Sequence, residues 1–346
     1  MVSAGRIPFP SPLRLGLALL LVLPLLGLGA CGGDTGGAAS ELDAIAAKYT
    51  YEFPPDLPFD PAEWTTNTEY APIGDPEAVR VKDMEFKVPW AAYPTTLRTH
   101  GPNANSTQTR ALQALIYEGM LQIHPETEEF IPCLASHWKV EDHPDGTQTF
   151  TFHLDERARW ANGDPLEADD VYYSWWHRIQ EDRKDPMTRM TYGEDFEEPK
   201  VLDRLTISVK TTEANWRLLL YFGGMAIYPA PYISIPGEQY LKVYNWRFPV
   251  GTGPYEVDYA KMKKGTSFVL KRRDDWWGEN EKWGKGTYNF DRIKYVTIRD
   301  REMVYEKFKN GDLDWFPVGM ARRWVEDLPK EEKITNGWVQ MRKIYN

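Results

Sequence analysis

Hydrophobic and polar positions alternate strictly through residues 148–154, with Phe150, Phe152 and Leu154 on one side and Thr149, Thr151 and His153 on the other. A period of two predicts a strand with one buried face. Asn162-Gly163 then supplies turn chemistry and Pro165 closes the loop. The period next becomes helical: Val171, Trp175 and Ile179 share a face, with Tyr172 and Trp176 beside them. Asp169 and Asp170 fall in the first turn, where the helix dipole favours negative charge. Residues 131–176 therefore read as strand, turn and helix, a packed α/β unit with no visible chemistry of its own.

The same reading extends along the chain. Strand-like pieces occupy 79–81 and 96–99, a loop covers 99–106, and an amphipathic helix runs from 107 to 121 with Leu112, Leu115, Ile116 and Met120 on one face. Leu205, Ile207 and Val209 alternate as a strand, and residues 216–222 read as a short helix. Residues 255–259 and 267–271 form a hairpin about a Lys-rich turn ending at Gly265. Residues 293–299 are apolar on both faces, which predicts an internal strand. A helix over 302–309 stops at Asn310-Gly311, and 314–318 reads as a further strand. Residues 41–80 scatter single aromatics among Pro, Asp and Glu, so they are expected to form an extended, loosely ordered lead-in with a short helix in 41–49. Residues 180–200 are polar and acidic.

Composition refines this picture little. With 346 residues, 42% hydrophobic and 27% charged, the chain exceeds one ordinary domain and has a globular balance. A net charge of −10 argues against nucleic acid or anionic lipid as the main partner, since both reward clustered Lys and Arg. Fourteen Trp and 19 Tyr suit an apolar cleft that also needs polar edges.

The N-terminus changes the picture more. Arg6 and Arg14 precede an apolar run over 15–28 that ends in Leu28-Gly29-Ala30-Cys31. A basic start, an apolar middle and small residues at the cut describe a secretory signal over 1–30, too short for a bilayer span of about 20 residues. Leu-Gly-Ala-Cys also resembles the bacterial lipobox, in which Cys31 becomes the lipidated first residue. Residues 31–79 would then be lipidated Cys, tether and lead-in. Cys133 is left alone and is read as a small buried hydrophobe.

Catalytic and metal patterns are missing. The six His, at 100, 124, 137, 143, 153 and 177, show no H-x-x-x-H pair with carboxylates nearby. Gly278 to Lys285 is one residue too long for a phosphate loop, and Gly286 stands where Ser or Thr is needed. G-x-S-x-G and C-x-x-C do not occur. Neither enzyme activity, nor a cofactor, nor a metal is expected.

Pro132-Cys-Leu-Ala-Ser-His-Trp138, the Phe-rich strand, Trp160-Ala-Asn-Gly-Asp-Pro-Leu166 and Ala168-Asp-Asp-Val-Tyr-Tyr-Ser-Trp175 follow one another in a telling order. With Leu115 to Leu121, Val250-Gly-Thr-Gly-Pro-Tyr255, Arg272 to Gly278 and Phe308 to Asp314, this ordered set resembles the family-five extracellular solute-binding proteins. That family comprises the dipeptide, oligopeptide and nickel-binding group that serves ABC importers.

The resemblance implies an α/β, periplasmic-binding-protein-like fold of class II with three lobes. Lobe I would begin with 80–119 and resume over 213–317. Lobe II would occupy 120–212, and 318–346 would start lobe III. Because relatives are longer, lobe III and the returning part of lobe I are expected to be largely missing.

It further implies an exported lipoprotein, held at the cell envelope through Cys31, in the periplasm or on the outer face of the membrane. As a monomer it would hand a peptide-like solute to ABC permease subunits. Candidate ligand-binding residues are Asn103, Asn105 and Ser106, in the loop that in relatives contributes to the cleft, and Arg189 and Tyr192, in the lobe II segment that faces the ligand. The amides and hydroxyl both donate and accept, and the guanidinium could clamp a carboxylate. Alternatives are an oligosaccharide ligand on the same fold, or a surface lipoprotein without a small ligand.

Overall fold

The computed structural model describes residues 42–342. The signal, the lipobox Cys31 and the tether lie outside the described residues. Two four-stranded sheets and one short hairpin carry the architecture.

The first sheet has the order β1-β10-β9-β8, with β1 at Val81–Trp90, β8 at Tyr255–Val257, β9 at Ser267–Arg272 and β10 at Phe290–Thr297. β1 and β10 run parallel, whereas β10, β9 and β8 are antiparallel. β10 is internal, as its two apolar faces predict. Helix α2, Thr107–Ile116, packs beneath this sheet with Leu112 and Ile116 buried among Phe268, Leu270, Ile293 and Tyr295.

All of the second sheet lies between β1 and β8 in sequence. Its order is β4-β5-β7-β6: Ala135–Asp142, Gln148–Leu154, Thr206–Lys210 and Lys200–Val201. Phe150, Phe152 and Leu154 of β5 are buried against α3, Ala168–Ile179, through Val171 and Trp175. Helix α5, Trp216–Gly223, also belongs to this core, since Phe222 lies 5.9 Å from Phe152 and 5.3 Å from Phe196. Cys133 is buried in the same core, and burial pushes its thiol well up. Tyr288 packs against both cores.

Gly251 and Gly253 explain the spacing of the Val-Gly-Thr-Gly-Pro-Tyr run. The Gly253 N–H donates to the Ile116 carbonyl at 2.9 Å, and a Cβ on Gly251 would overlap that carbonyl. Only glycine permits so close a backbone approach to the end of α2.

Several elements differ from the sequence reading. Helix α2 stops at Ile116; Tyr117 is extended, and Leu121–Ile123 forms β2, paired with β3, Phe130–Pro132. Residues 96–99 form no strand. Residues 314–318 do not either: Asp314 touches β1 only through its N–H to the Lys87 carbonyl and its carboxylate to the Lys87 N–H. The acidic stretch hides helix α4, Pro186–Glu194, which follows α3.

The lead-in is not loose. After a helical turn α1, residues 42–46, whose Leu42 is buried with Tyr240 and Tyr244, it crosses the second sheet as a strap. Tyr49 donates to Asp169 at 2.7 Å, Leu57 N–H to Asp203 at 3.1 Å, and Thr65 exchanges two backbone hydrogen bonds with Trp138. Phe59 stacks flat on His153 at 3.7 Å. Lys282 then donates to the Thr68 carbonyl at 2.6 Å, and Gly74 approaches Gly286 beside the first sheet. Isolated contacts of this kind leave no periodic trace in a sequence.

Candidate functional site

The loop after β1 and the start of α4 meet at one carboxylate. Asp185 caps α4, accepting from Thr188 N–H at 3.3 Å through Oδ1. Its Oδ2 accepts from Gly101 N–H at 3.2 Å and faces His100 Nδ1 at 3.6 Å. Although Asp185 is partly buried, its pairing with His100 and the Gly101 N–H keeps it well below the usual carboxylate range. Burial lowers His100 to about 4, so it stands neutral at physiological pH.

Behind this junction lies a fully buried guanidinium. Arg183 donates Nε to His177 Nδ1 at 2.9 Å and one terminal nitrogen, Nη2, to the carbonyls of both Ile233 and Ile235 at 3.0 and 2.7 Å. Asp182 accepts from Arg183 at 3.2 Å and from Gly237 N–H at 2.7 Å. Burial and the adjoining His100 and cations push His177 well down. The segment 181–185 thus gives the Asn103 loop and α4 a shared base. Asp185, Arg183 and His177 were not singled out by sequence reasoning; Asp185-Pro186, a capping residue followed by proline at the first helical position, was the available signal.

The five candidate residues fare differently on that base. Asn103 is exposed at φ 64°, and no side-chain hydrogen bond engages it. Asn105 accepts from Arg110 Nε at 2.9 Å, and Ser106 caps α2 by accepting from Thr109 N–H at 3.1 Å. Arg189 is half-exposed and lies 3.6 Å from Glu181. Tyr192 is fixed: its hydroxyl donates to the Tyr221 carbonyl at 3.1 Å, its own carbonyl accepts from Trp175 Nε1, and the Arg178 guanidinium sits 5.1 Å from its ring. Around them Met187, Met190, Trp216 and Tyr221 are exposed on α4 and α5.

Two pockets lie elsewhere, and neither includes any of the five. One, of about 190 Å³, lies between Tyr49, Trp160, Tyr232 and the carboxylates Asp164, Glu167, Asp169 and Asp170 at the start of α3. Asp170 accepts from Glu167 N–H, Trp160 Nε1 and Ala230 N–H. Burial and neighbouring Asp169 push it well up, and burial raises Asp169 to about 6. The other, of about 240 Å³, is aromatic, with Phe316, Trp315, Trp324 and Trp338. Both are smaller than ordinary ligand pockets of roughly 300–1,000 Å³. Among the described residues, no group of three or more His, Cys, Asp and Glu is placed to hold a metal ion, and no helix is long and apolar enough to cross a membrane. The arrangement can offer hydrogen bonds, charge and apolar contact.

Comparison with known proteins agrees with this frame. The family model described as bacterial extracellular solute-binding proteins, family 5 middle, matches residues 129–339. A protein described as probable peptide-binding protein YejA, from Agrobacterium fabrum, is 29% identical over 241 residues, 64% of this chain and 37% of that protein. The oligopeptide-binding protein AppA of Bacillus subtilis, solved with a nonapeptide, superposes with a TM-score of 0.60 at 18% identity over 72% of this chain and 46% of its own. A periplasmic oligopeptide-binding protein of Thermotoga maritima, solved with mannohexaose, gives a TM-score of 0.56 at 20% identity over 71% of this chain and 44% of its own. The match thus spans less than half of each of these proteins. The fold is mixed α/β and periplasmic-binding-protein-like.

Proposed function

The chain belongs to the bacterial extracellular solute-binding proteins of family 5, and on that premise we propose that it captures peptides or peptide-like solutes for an ABC importer. The solute would lie between lobe I, 80–119 and 213–317, and lobe II, 120–212, with 318–346 opening a third lobe. Asn103 on one side and Arg189 with the exposed face of α4 on the other would contact it. The observation that supports this reading most is the shared root at Asp185, which sets two segments about eighty residues apart in sequence side by side. Asn103 is the candidate whose side chain has no internal partner to give up.

Asn105, Ser106 and Tyr192 would support the site by holding α2 and α4 in place, since each already spends its polar atoms within the fold. Closure would be a hinge movement that solute contacts to both lobes bias. Cys31, acylated after removal of 1–30, would keep the protein at the envelope beside its permease as a monomer.

Isothermal calorimetry of the purified protein against defined oligopeptide pools tests this. Heat of binding that Asn103→Gly diminishes at unchanged melting temperature is expected; silence across all pools overturns it. The mannohexaose-bound neighbour supports an oligosaccharide as the second reading. Tryptophan fluorescence quenched by oligosaccharides and unmoved by peptides would favour that one.

A further inference from the structure

Histidine recurs among the fasteners of the strap. Three of the six His residues hold it: Phe59 stacks on His153 at 3.7 Å with its edge toward His137 at 5.2 Å, and His124 Nε2 lies 3.0 Å from the Ala71 carbonyl. His137 and His153 are directly opposite one another on β4 and β5. Lys139, two residues along the same face of β4, sits 4.5 Å from the Trp64 ring of the strap and 3.7 Å from Glu63.

We propose that residues 49–71 form an acid-sensitive strap, whose hold on the β4–β5 face weakens when His153 and His137 take up protons.

The argument rests on what surrounds those rings. Protonating both would set two cations opposite each other across a strand pair, with the Lys139 ammonium alongside, and like charges so placed repel. Nearby carboxylates pull the other way, but burial outweighs them, and each is engaged by other donors or by water. Asp203 spends Oδ2 on the Leu57 N–H of the strap and Oδ1 on the Leu205 N–H. Asp155 is held by Arg157 through Nε at 2.9 Å and a terminal nitrogen at 2.6 Å. Glu156 is exposed and screened by water. The remaining neighbours are neutral: Thr206 Oγ1 at 3.1 Å from His153 Nδ1, Ser136 Oγ at 3.0 Å from His137 Nδ1, and the Trp64 ring at 5.9 Å from His153. Burial beneath the strap lowers both imidazoles, which agrees in direction. A base depressed in the folded state stabilises it above its ordinary value near 6.5, and that contribution fades as pH falls below it.

The strap also accepts from Lys282, between β9 and β10, through its Thr68 carbonyl at 2.6 Å. Tyr70 at its far end is itself buried in the core of the second sheet, so the release concerns the stretch around Phe59.

Hydrogen exchange on the whole protein at about pH 7.5 and about pH 5, corrected for intrinsic chemistry, tests this across the range where imidazole titrates. The Leu57 and Thr65 amides should lose protection by at least roughly threefold at the lower pH, while β9 and β10 do not change. His153→Phe, which keeps a ring beneath Phe59 and removes the proton site, should reduce that pH response. Phe59→Ala, on the strap itself, should free the same amides at both pH values with the β4–β7 core still protected. Equal strap protection in the wild type at both pH values, an undiminished response in His153→Phe, or no effect of Phe59→Ala would each overturn the proposal.

Discussion

Asp169 and Asp170 show how one residue type at one helix position acquires an energetic meaning that spacing does not reveal. Both were expected in the first turn of α3 for their charge, and both are there, but each is only 4% exposed. Asp170 repays its burial by accepting three hydrogen bonds from separate segments. Asp169 relies chiefly on Tyr49 of the strap, whose own ionisation is suppressed by burial and by the carboxylate beside it. An acid raised to about 6 from an ordinary value near 4 contributes stability that is full below about pH 4 and lost as pH rises through 6. Asp169→Asn keeps an acceptor for the Tyr49 hydroxyl and removes the charge. It should be more stable than the wild type at neutral pH, by about 1–3 kcal/mol, and the difference should vanish below about pH 4. Thermal unfolding followed by circular dichroism across that range checks the sign.

Elements were legible wherever burial imposed a period. Strand β5 buries its apolar stripe and helix α3 buries Val171 and Trp175 of its own, and hydrophobic alternation or helical spacing recovers them within a residue or two. The β8–β9 hairpin and the Asn310-Gly311 stop of helix α8, Arg301–Lys309, followed from turn and cap chemistry. Helix α4 escaped because its residues are intermediate or exposed, so no stripe announces it and only its Asp-Pro cap does. Phe316 and Val318 suggested a strand, yet that stretch makes a single backbone contact with β1.

Of the candidate residues the sequence offered types and spacing but not contacts, because hydrogen bonding within a loop or a helix start is a local matter of which donor arrives first. Ser106 is the clearest case, a cap by geometry as well as a hydroxyl by inventory. Ser106→Ala should therefore cost about 1 kcal/mol of stability through the start of α2, read as a lowered melting temperature. Solute heat per folded molecule should be retained. Loss of binding with unchanged melting would make Ser106 a direct contact instead.

At the scale of the whole molecule, two cores face each other across Tyr288 and are stitched by pairings between distant residues. The most distant is β1 with β10, where Val88 pairs with Tyr295 and Trp90 with Thr297. Tyr295 stacks on Trp90 at 3.9 Å and is buried. Tyr295→Ala should cost about 3–5 kcal/mol, the usual range for deleting a buried aromatic ring. Denaturant unfolding would detect it, and a loss under about 1 kcal/mol would mean the first sheet does not depend on that pair.

That pairing has a temporal side. Residues 81–90 leave the ribosome some two hundred residues before β10, their neighbour in the sheet. Closing so wide a loop is slow, and the strand must wait as an unpaired ribbon carrying Phe86, Val88 and Trp90. The core around β4–β7, whose members all precede residue 290, can meanwhile assemble. A chain stalled before residue 290 would thus hold one finished core and one sticky, unfinished edge, which makes β1 the stretch that molecular chaperones are most apt to grip.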